Sequence, residues 1–192
     1  MSNLTSRPLA EFADVGDLAG TYTIDRSHTR IGFVARHAMV TKVRGAFNDF
    51  EGTAVVDGNL PASSVNLTIQ AASIDTRNEQ RDGHLRSNDF LAMDEFPTIT
   101  FASTAVGLVD ATHVEITGDL TIKGVTRSIT VPFEFGGAST DPFGNQRIGF
   151  EGQVTINRKD YGVTWNAALE TGGVLVSDKI VLEFEVSAIK NA

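Results

Sequence analysis

Residues able to do acid–base chemistry are concentrated in one stretch of the chain, RDGHLRSNDF, residues 81–90. A histidine beside two carboxylates, here Asp82 and Asp89, is a combination that general acid–base catalysis uses. Acidic residues among arginines are, however, usually solvated or ion-paired. We therefore assign no catalytic residue and interpret these charges as anchors that hold a structural element in place.

Metal and nucleotide chemistry have no support in the sequence. The four histidines, His28, His37, His84 and His113, lie far apart, and none has a second ligand type at metal-site spacing. There is no GxSxG elbow, no GxGxxG or P-loop pattern, and no cysteine. The sequence predicts neither a metal site nor a cofactor.

His37 is a more informative histidine, because it continues the alternation of Ile31, Phe33 and Ala35. In a strand, residues two apart point to the same face, so the imidazole is expected to face the interior of the fold or its mouth. A polar group on an apolar face needs a partner. Two interpretations stay open: an anchor for the headgroup of a largely apolar ligand, or a core histidine bonded to a backbone carbonyl.

Positive charge follows His37 closely in a chain that is otherwise acidic. The segment RHAMVTKVRG brings Arg36, Lys42 and Arg44 together within nine residues. These side chains could meet a phosphate group at the mouth of a cavity. They could equally decorate a solvated hairpin, since lysine and arginine often flank strand ends.

The elements that must position these residues are predominantly β-strands. From Tyr22 onward apolar and polar residues alternate, as in HVEITGDLTIKG, where Val114, Ile116, Leu120 and Ile122 share one phase. Short Gly-, Pro-, Asn- and Asp-rich connections predict about eight or nine antiparallel strands. A long sheet with one apolar face removes its edges by closing, so we expect an all-β fold, an antiparallel β-barrel.

One helix is expected to interrupt the strands. Thr76 with Glu79 three residues later forms the pattern of a capping box, which predicts a helix over residues 77–86. The charged stretch at 81–90 would then fasten this helix over the barrel. We expect its ionic partner in the second irregular segment, through Arg158 or Asp160.

Length and charge limit the possible functions further. A chain of 192 residues with a net charge of −8 fits one domain, and the negative charge argues against nucleic acid as a partner. We expect an N-terminal arm over residues 1–20, with a turn or two of helix around Leu9, Phe12 and Leu18, and a barrel domain over 21–192. The sequence shows neither a signal peptide nor a membrane span, so we expect a cytoplasmic protein.

Several motifs, in the same order, resemble the YceI-like family of polyisoprenoid-binding, lipocalin-like proteins. They are YTIDRSHTRIGF, VRGAFNDFEG, ASIDTRNEQRDGHLRSNDFLAMDEFPTITF, GDLTIKGVTRSITV and GFEGQVTINRKDYG. The resemblance implies an eight-stranded antiparallel lipocalin-like barrel with one or two short helices covering it, and often a homodimer. It implies non-catalytic binding, transport or storage of a long apolar chain: a polyisoprenoid or its pyrophosphate, a fatty acid or an amide, with links to isoprenoid metabolism and stress response.

Interior-phase residues are the expected ligand contacts, with Arg36, Lys42 and Arg44 as headgroup candidates at the mouth. The predicted ligand-binding residues are Phe33, His37, Phe47, Phe101, Ile116, Phe133, Phe150, Trp165 and Leu182. Alternation does not reveal whether the barrel is hollow or filled. Two rival functions therefore stay open: an enzyme acting on an apolar substrate with His37 or His84 as general base, and a filled barrel that acts only through protein contacts.

Overall fold

The structure is a computed structural model that describes residues 15–192. The α-helices are α1 (Val15–Leu18) and α2 (Glu79–Arg86). The strands are β1 (Gly20–Ile24), β2 (Arg30–His37), β3 (Thr41–Phe47), β4 (Phe50–Val56), β5 (Ser64–Gln70), β6 (Ile74–Asp75), β7 (Thr98–Leu108), β8 (His113–Ile122), β9 (Val125–Thr140), β10 (Gln146–Asn157) and β11 (Lys179–Lys190). Short 3-10 helices cover Arg26–His28, Leu60–Ala62, Ala71–Ser73 and Arg158–Tyr161. Within the described range, no helix combines the length and the apolar character needed to cross a membrane.

The strands close into an antiparallel barrel. Three long strands bend in the middle and are each divided in two, namely β1 with β2, β3 with β4, and β5 with β6. Together with β7, β8, β9, β10 and β11 they make eight barrel strands. Pairing of β1 with β11 closes the ring, which leaves few unpaired edge groups. The predicted eight-stranded antiparallel barrel is confirmed.

Because the strands are antiparallel, the connections between them lie at the two ends of the barrel. At one end, which we call the helix end, lie α2, the β2–β3 hairpin, the β8–β9 hairpin and the segment 158–178. At the other, which we call the far end, lie α1, the β4–β5 connection, and the β7–β8 and β9–β10 hairpins. Each end has its own cluster of buried apolar residues, centred on Phe90 and Tyr161 at the helix end and on Tyr22 and Phe135 at the far end.

The N-terminal arm is described only in part. The predicted helical turns around Leu9 and Phe12 lie outside the described residues. α1 forms a single turn, and the Tyr22 hydroxyl donates a hydrogen bond of 2.8 Å to the Leu18 carbonyl oxygen. Leu18 also packs on the apolar cluster of the far end, so this turn covers that end of the barrel.

Helix α2 begins two residues later than the capping-box pattern predicted. The residue that caps it is Asn78, whose side chain accepts a hydrogen bond from the Arg81 backbone N–H. Thr76 is instead buried, and both its backbone N–H and its hydroxyl donate to Asp82 Oδ1. A threonine whose hydroxyl already has this partner is not free to cap, which explains the difference.

The charged side chains of α2 do anchor the helix, but not to the predicted partner. The Arg81 Nε–H donates to the Thr76 hydroxyl oxygen at 2.7 Å, and the Arg86 Nε–H donates to the Ala72 carbonyl oxygen at 2.9 Å. Both contacts attach α2 to the chain immediately before it. The expected link through Arg158 or Asp160 is wrong, because Arg158 is occupied by carbonyl groups of its own segment.

Asp82→Ala is expected to destabilise the protein without weakening ligand binding. The carboxylate is 4% exposed, and its loss leaves the buried N–H and O–H of Thr76 without an acceptor. Such a loss costs about 2–3 kcal/mol and lowers Tm by roughly 4–10 °C, measured by calorimetry. Asp89→Ala is the control, since its carboxylate pairs only with His84 at the surface. Equal losses of Tm in the two variants would contradict the anchoring role.

Candidate ligand-binding cavity

The barrel is hollow. A cavity of about 300 Å³ extends along its interior, from Ser63 and Ser64 at the far end to Val176 at the helix end. Inward side chains from all the long strands form its wall, and no polar atom of the wall is accessible from inside. This volume lies at the lower limit for ligand pockets, which are predominantly apolar. The space is suited to hydrocarbon.

Most of the predicted ligand-binding residues line this cavity. Those that do are Phe33, Phe47, Phe101, Ile116, Phe133, Phe150 and Leu182. Strand alternation identified them, because inward and outward residues alternate around a closed barrel. Their contact with a ligand stays a prediction.

Glycines in the wall keep three of the phenylalanine rings against it. The pairs are Phe33 with Gly45, Phe101 with Gly118, and Phe133 with Gly152. A β-carbon at any of these glycines would clash with the neighbouring ring, so each ring occupies the place where a side chain would stand. Aromatic rings commonly cover glycines in this way on neighbouring strands. The rings therefore lie along the wall and leave the centre open.

The helix end of the cavity is covered by apolar residues of α2 and the turn that follows. Leu85, Phe90 and Leu91 line the cavity, and Phe90 is 6% exposed. Backbone hydrogen bonds fix this turn, including those from Leu91 N–H to the Leu85 oxygen and from Ala92 N–H to the Ser87 oxygen. α2 thus closes one end of the barrel.

Trp165 and His84 lie behind that cover and not in the cavity. The His84 ring makes edge contacts with Trp165 and Phe90 at centroid distances of 4.6 and 5.0 Å. The His84 Nε2 lies 2.8 Å from Asp89 Oδ2 at the surface. The prediction that Trp165 lines the cavity is therefore wrong; it packs on the outer side of Phe90, at 5.3 Å between centroids.

His37 also lies outside the cavity, so of its two expected positions, the interior and its mouth, the interior is wrong. It shares the inward phase of Ala35, which does line the wall, but the β2–β3 hairpin continues beyond the end of the cavity. There His37 pairs with Thr41 and forms an isolated bridge with Val176, and its side chain is exposed.

Among residues 15–192, no three His, Asp, Glu or Cys side chains gather closely enough to hold a metal ion.

The three basic headgroup candidates are exposed on the same hairpin. Arg36 and Lys42 are cross-strand neighbours, and Arg44 Nη1 lies 3.5 Å from Glu183 Oε1. None of the three lines the cavity. They surround the hairpin and do not reach the interior, and a headgroup role at the mouth stays a prediction.

Arg158 is a structurally important residue, for which the sequence predicted a different role as an ionic partner of α2. Its guanidinium group is buried and donates to the carbonyl oxygens of Ser177, Val163 and Trp165, each at 2.9 Å, and to that of Val176 at 3.4 Å. These carbonyl groups come from both halves of the segment 158–178. One side chain therefore holds this segment over the helix end.

Strand phase could have indicated that Arg158 is buried, because it continues the inward phase of Ile156, but not which carbonyl groups it binds. Burial lowers the pKa of the Arg158 guanidinium and raises the pKa of the neighbouring Tyr161 hydroxyl. The Tyr161 hydroxyl is buried without a hydrogen-bond partner among the described residues. Both residues border the cavity, yet their polar atoms do not open into it. They seal the end of the cavity and do not present a polar site to a ligand.

A closed antiparallel barrel around an apolar cavity defines a ligand-binding β-barrel. The profile of the YceI-like domain matches residues 22–188, which include nearly the whole barrel. The chain belongs to the YceI-like domain family. One relative, a UPF0312 protein of Staphylococcus aureus strain N315, is 42% identical over 171 residues, covering 87% of this chain and 95% of the relative.

Solved structures share this fold. The Campylobacter jejuni YCEI protein is 31% identical, with a TM-score of 0.70 over 82% of this chain and 90% of that one. Burkholderia cenocepacia BcnA is 24% identical, with a TM-score of 0.75 over 85% and 98%. A polyisoprenoid binding domain from Saccharophagus degradans is 15% identical, with a TM-score of 0.69 over 88% and 98%. The last two show likeness of fold alone.

Proposed function

We propose that this protein binds the hydrocarbon part of a long-chain lipid, of the polyisoprenoid class, inside the barrel and carries or stores it without changing it chemically. The observation that supports this most directly is the apolar cavity, from which no polar atom is accessible. Membership of the YceI-like family and the polyisoprenoid-binding description of the Saccharophagus degradans domain support the same ligand class.

In the proposed binding mode, the hydrocarbon tail of the ligand lies inside the barrel and its headgroup lies outside. An unpaired polar or charged group is costly to bury in an apolar cavity, so a pyrophosphate, carboxylate or amide headgroup would stay outside. The chain itself gains about 0.8 kcal/mol for each methylene removed from water. Affinity would then depend on the length and shape of the chain more than on its headgroup.

A non-catalytic role is supported by the position of the histidines. A general base must come within hydrogen-bond reach of the proton that it removes. The two histidines considered as bases, His37 and His84, both lie off the cavity wall. A substrate held in the cavity would meet only carbon atoms of the wall, which provide no acid or base.

Extraction of the purified protein with organic solvent tests the proposal. Mass spectrometry is expected to find close to one equivalent of a long-chain isoprenoid for each chain. A protein reloaded with that lipid is expected to return it unchanged after prolonged incubation. An empty extract from protein that also fails to take up added polyprenol would contradict the proposal, and a chemically altered lipid would contradict its non-catalytic part.

A further inference from the structure

The tip of the β2–β3 hairpin exposes apolar side chains at the helix end of the barrel. Met39 is 58% exposed and Val40 is 75% exposed. Val174, in the adjoining segment, is also exposed, and Met39 lies directly beside Gly173. A hydrogen bond of 2.8 Å from the Ala38 N–H to the Leu175 oxygen holds the hairpin and the segment together. The apolar residues thus form one projecting surface, which we call the hairpin tip.

The backbone of the hairpin tip does not favour the residues found there. Ala38 and Met39 have φ values of 50° and 63°, in the left-handed region where a β-carbon is unfavourable. Tight hairpin turns that need two such residues commonly use asparagine and glycine. Large apolar side chains at an exposed and strained turn are not explained by local stability, which suggests that they have a binding role.

Positive charge surrounds these apolar residues. Arg36 and Lys42 lie directly opposite each other on β2 and β3, both exposed and neither ion-paired with any described residue. Like charges in this position repel, and an anionic partner would relieve the repulsion. Arg44 follows on β3 but is ion-paired with Glu183, so the unpaired positive charge of the hairpin is that of Arg36 and Lys42.

The far end of the barrel also exposes apolar residues, but the charged residues beside them are acidic. Phe143 is 88% exposed in the β9–β10 turn, two residues from Asp141. Leu108 and Val109 are exposed beside Asp110 in the β7–β8 hairpin. Apolar exposure alone therefore does not distinguish the two ends. The unpaired cations of the hairpin do, and they select an anionic partner for the hairpin tip. Exposed acidic residues also lie at the helix end, on α2 and the turn after it, but Glu79 and Asp89 are paired there with Arg86 and His84.

The net charge of −8 does not prevent such an interaction. At physiological ionic strength the Debye length is about 8 Å. Strands of about ten residues separate the two ends by roughly 30 Å, so the acidic hairpins of the far end are largely screened from a surface at the helix end. A second copy of this chain that approached with its own hairpin tip would be repelled.

We propose that the hairpin tip docks the helix end of the barrel on an anionic lipid bilayer. Met39 and Val40 enter the interface between headgroups and acyl chains, while Arg36 and Lys42 meet lipid phosphates. Apolar residues rimmed by cations are the combination that interfacial membrane binding uses. This inference goes beyond the proposed function, because docking does not require the cavity to hold a lipid.

Vesicle flotation with the purified protein tests the docking. The protein is expected to float with vesicles of phosphatidylcholine and phosphatidylglycerol, to stay behind with phosphatidylcholine alone, and to dissociate as salt rises. The double variant Met39→Asp, Val40→Asp is expected to bind at least about tenfold more weakly, since two apolar side chains no longer leave water. Lys42→Gln is expected to bind about fivefold more weakly, because one cation is lost.

Phe143→Asp is the matched control, since it removes the most exposed of these apolar residues from the far end. Its vesicle binding is expected to equal that of the unmodified protein. Lys42→Gln, an exposed substitution, keeps the test valid if the double variant does not fold. Failure to bind anionic vesicles, equal binding to neutral vesicles, or equal loss in Phe143→Asp would overturn the proposal. Lipid extraction measures lipid binding in the cavity independently of docking, so failure of docking and failure of lipid binding are distinguishable.

Discussion

Ile116→Trp is expected to weaken binding of a long-chain lipid by more than a hundredfold while the barrel still folds. Ile116 lies in the middle of β8, between Val106 and Val131, and all three line the cavity. An indole ring that takes the place of about four methylenes of the ligand removes about 0.8 kcal/mol for each of them. Lipid content after extraction and the Kd for an added polyprenol measure the effect.

Glu115→Trp is the control for this prediction. Glu115 is the neighbour of Ile116 on the same strand, and it points outward into solvent. The same ring on the outer face is expected to leave both lipid content and Kd unchanged. If both tryptophan variants lost the lipid equally, the interior of the barrel would not be the binding site. Vesicle docking through the hairpin tip is expected to survive in Ile116→Trp.

Arg158→Ala is expected to cause the largest loss of stability among these variants. It leaves the carbonyl groups of Val163, Trp165 and Ser177 without their donor in a buried site, while the Val176 oxygen keeps the Asn166 amide as its donor. Removal of a buried, fully hydrogen-bonded charged group costs on the order of 3–5 kcal/mol. Denaturant unfolding measures this loss. Because the segment 158–178 also covers the helix end, its release is expected to increase the rate at which a bound lipid leaves.

Trp165 provides a local measurement for this variant, because it is the single tryptophan of the chain. It packs against both His84 and Phe90, so release of the segment is expected to shift its fluorescence emission to longer wavelength. Arg158→Lys is the matched control: an ammonium group keeps the charge but cannot reach the same set of carbonyl groups as a planar guanidinium. We expect an intermediate loss. Wild-type emission and stability in Arg158→Ala would refute the role of Arg158 as the anchor of the segment.

Predictions from the sequence succeeded where a property depends on nearest neighbours along a strand. Alternation decides which side of a strand a residue occupies, and this held for Phe47, Phe101 and Leu182, which line the cavity. For His37 it left the interior and its mouth open, and the interior is wrong because the hairpin continues past the end of the cavity. How far a strand extends beyond the barrel depends on the strands that pair with it. The alternation within one strand carries no information about that pairing.

The same limit applies to the irregular segments. Thr76 and Glu79 match a capping box, yet Asn78 caps the helix because Thr76 is held by Asp82 from the next turn. Arg158 follows the phase of a strand that ends just before it, and its partners are carbonyl groups up to 19 residues later. Such contacts arise only when the segment folds back on itself.

By itself the sequence determined the architecture: residue alternation with short connections predicts about eight or nine antiparallel strands in a closed sheet and the residues that face inward, and the family resemblance implies that the strands number eight. Only the tertiary structure decided that the barrel is hollow. Whether inward phenylalanines fill a core depends on what stands opposite them, and the register sets Phe33 directly across from Gly45 and Phe133 directly across from Gly152. Each ring then packs against the wall, because glycine leaves room there and the cross-strand pairing brings the two together.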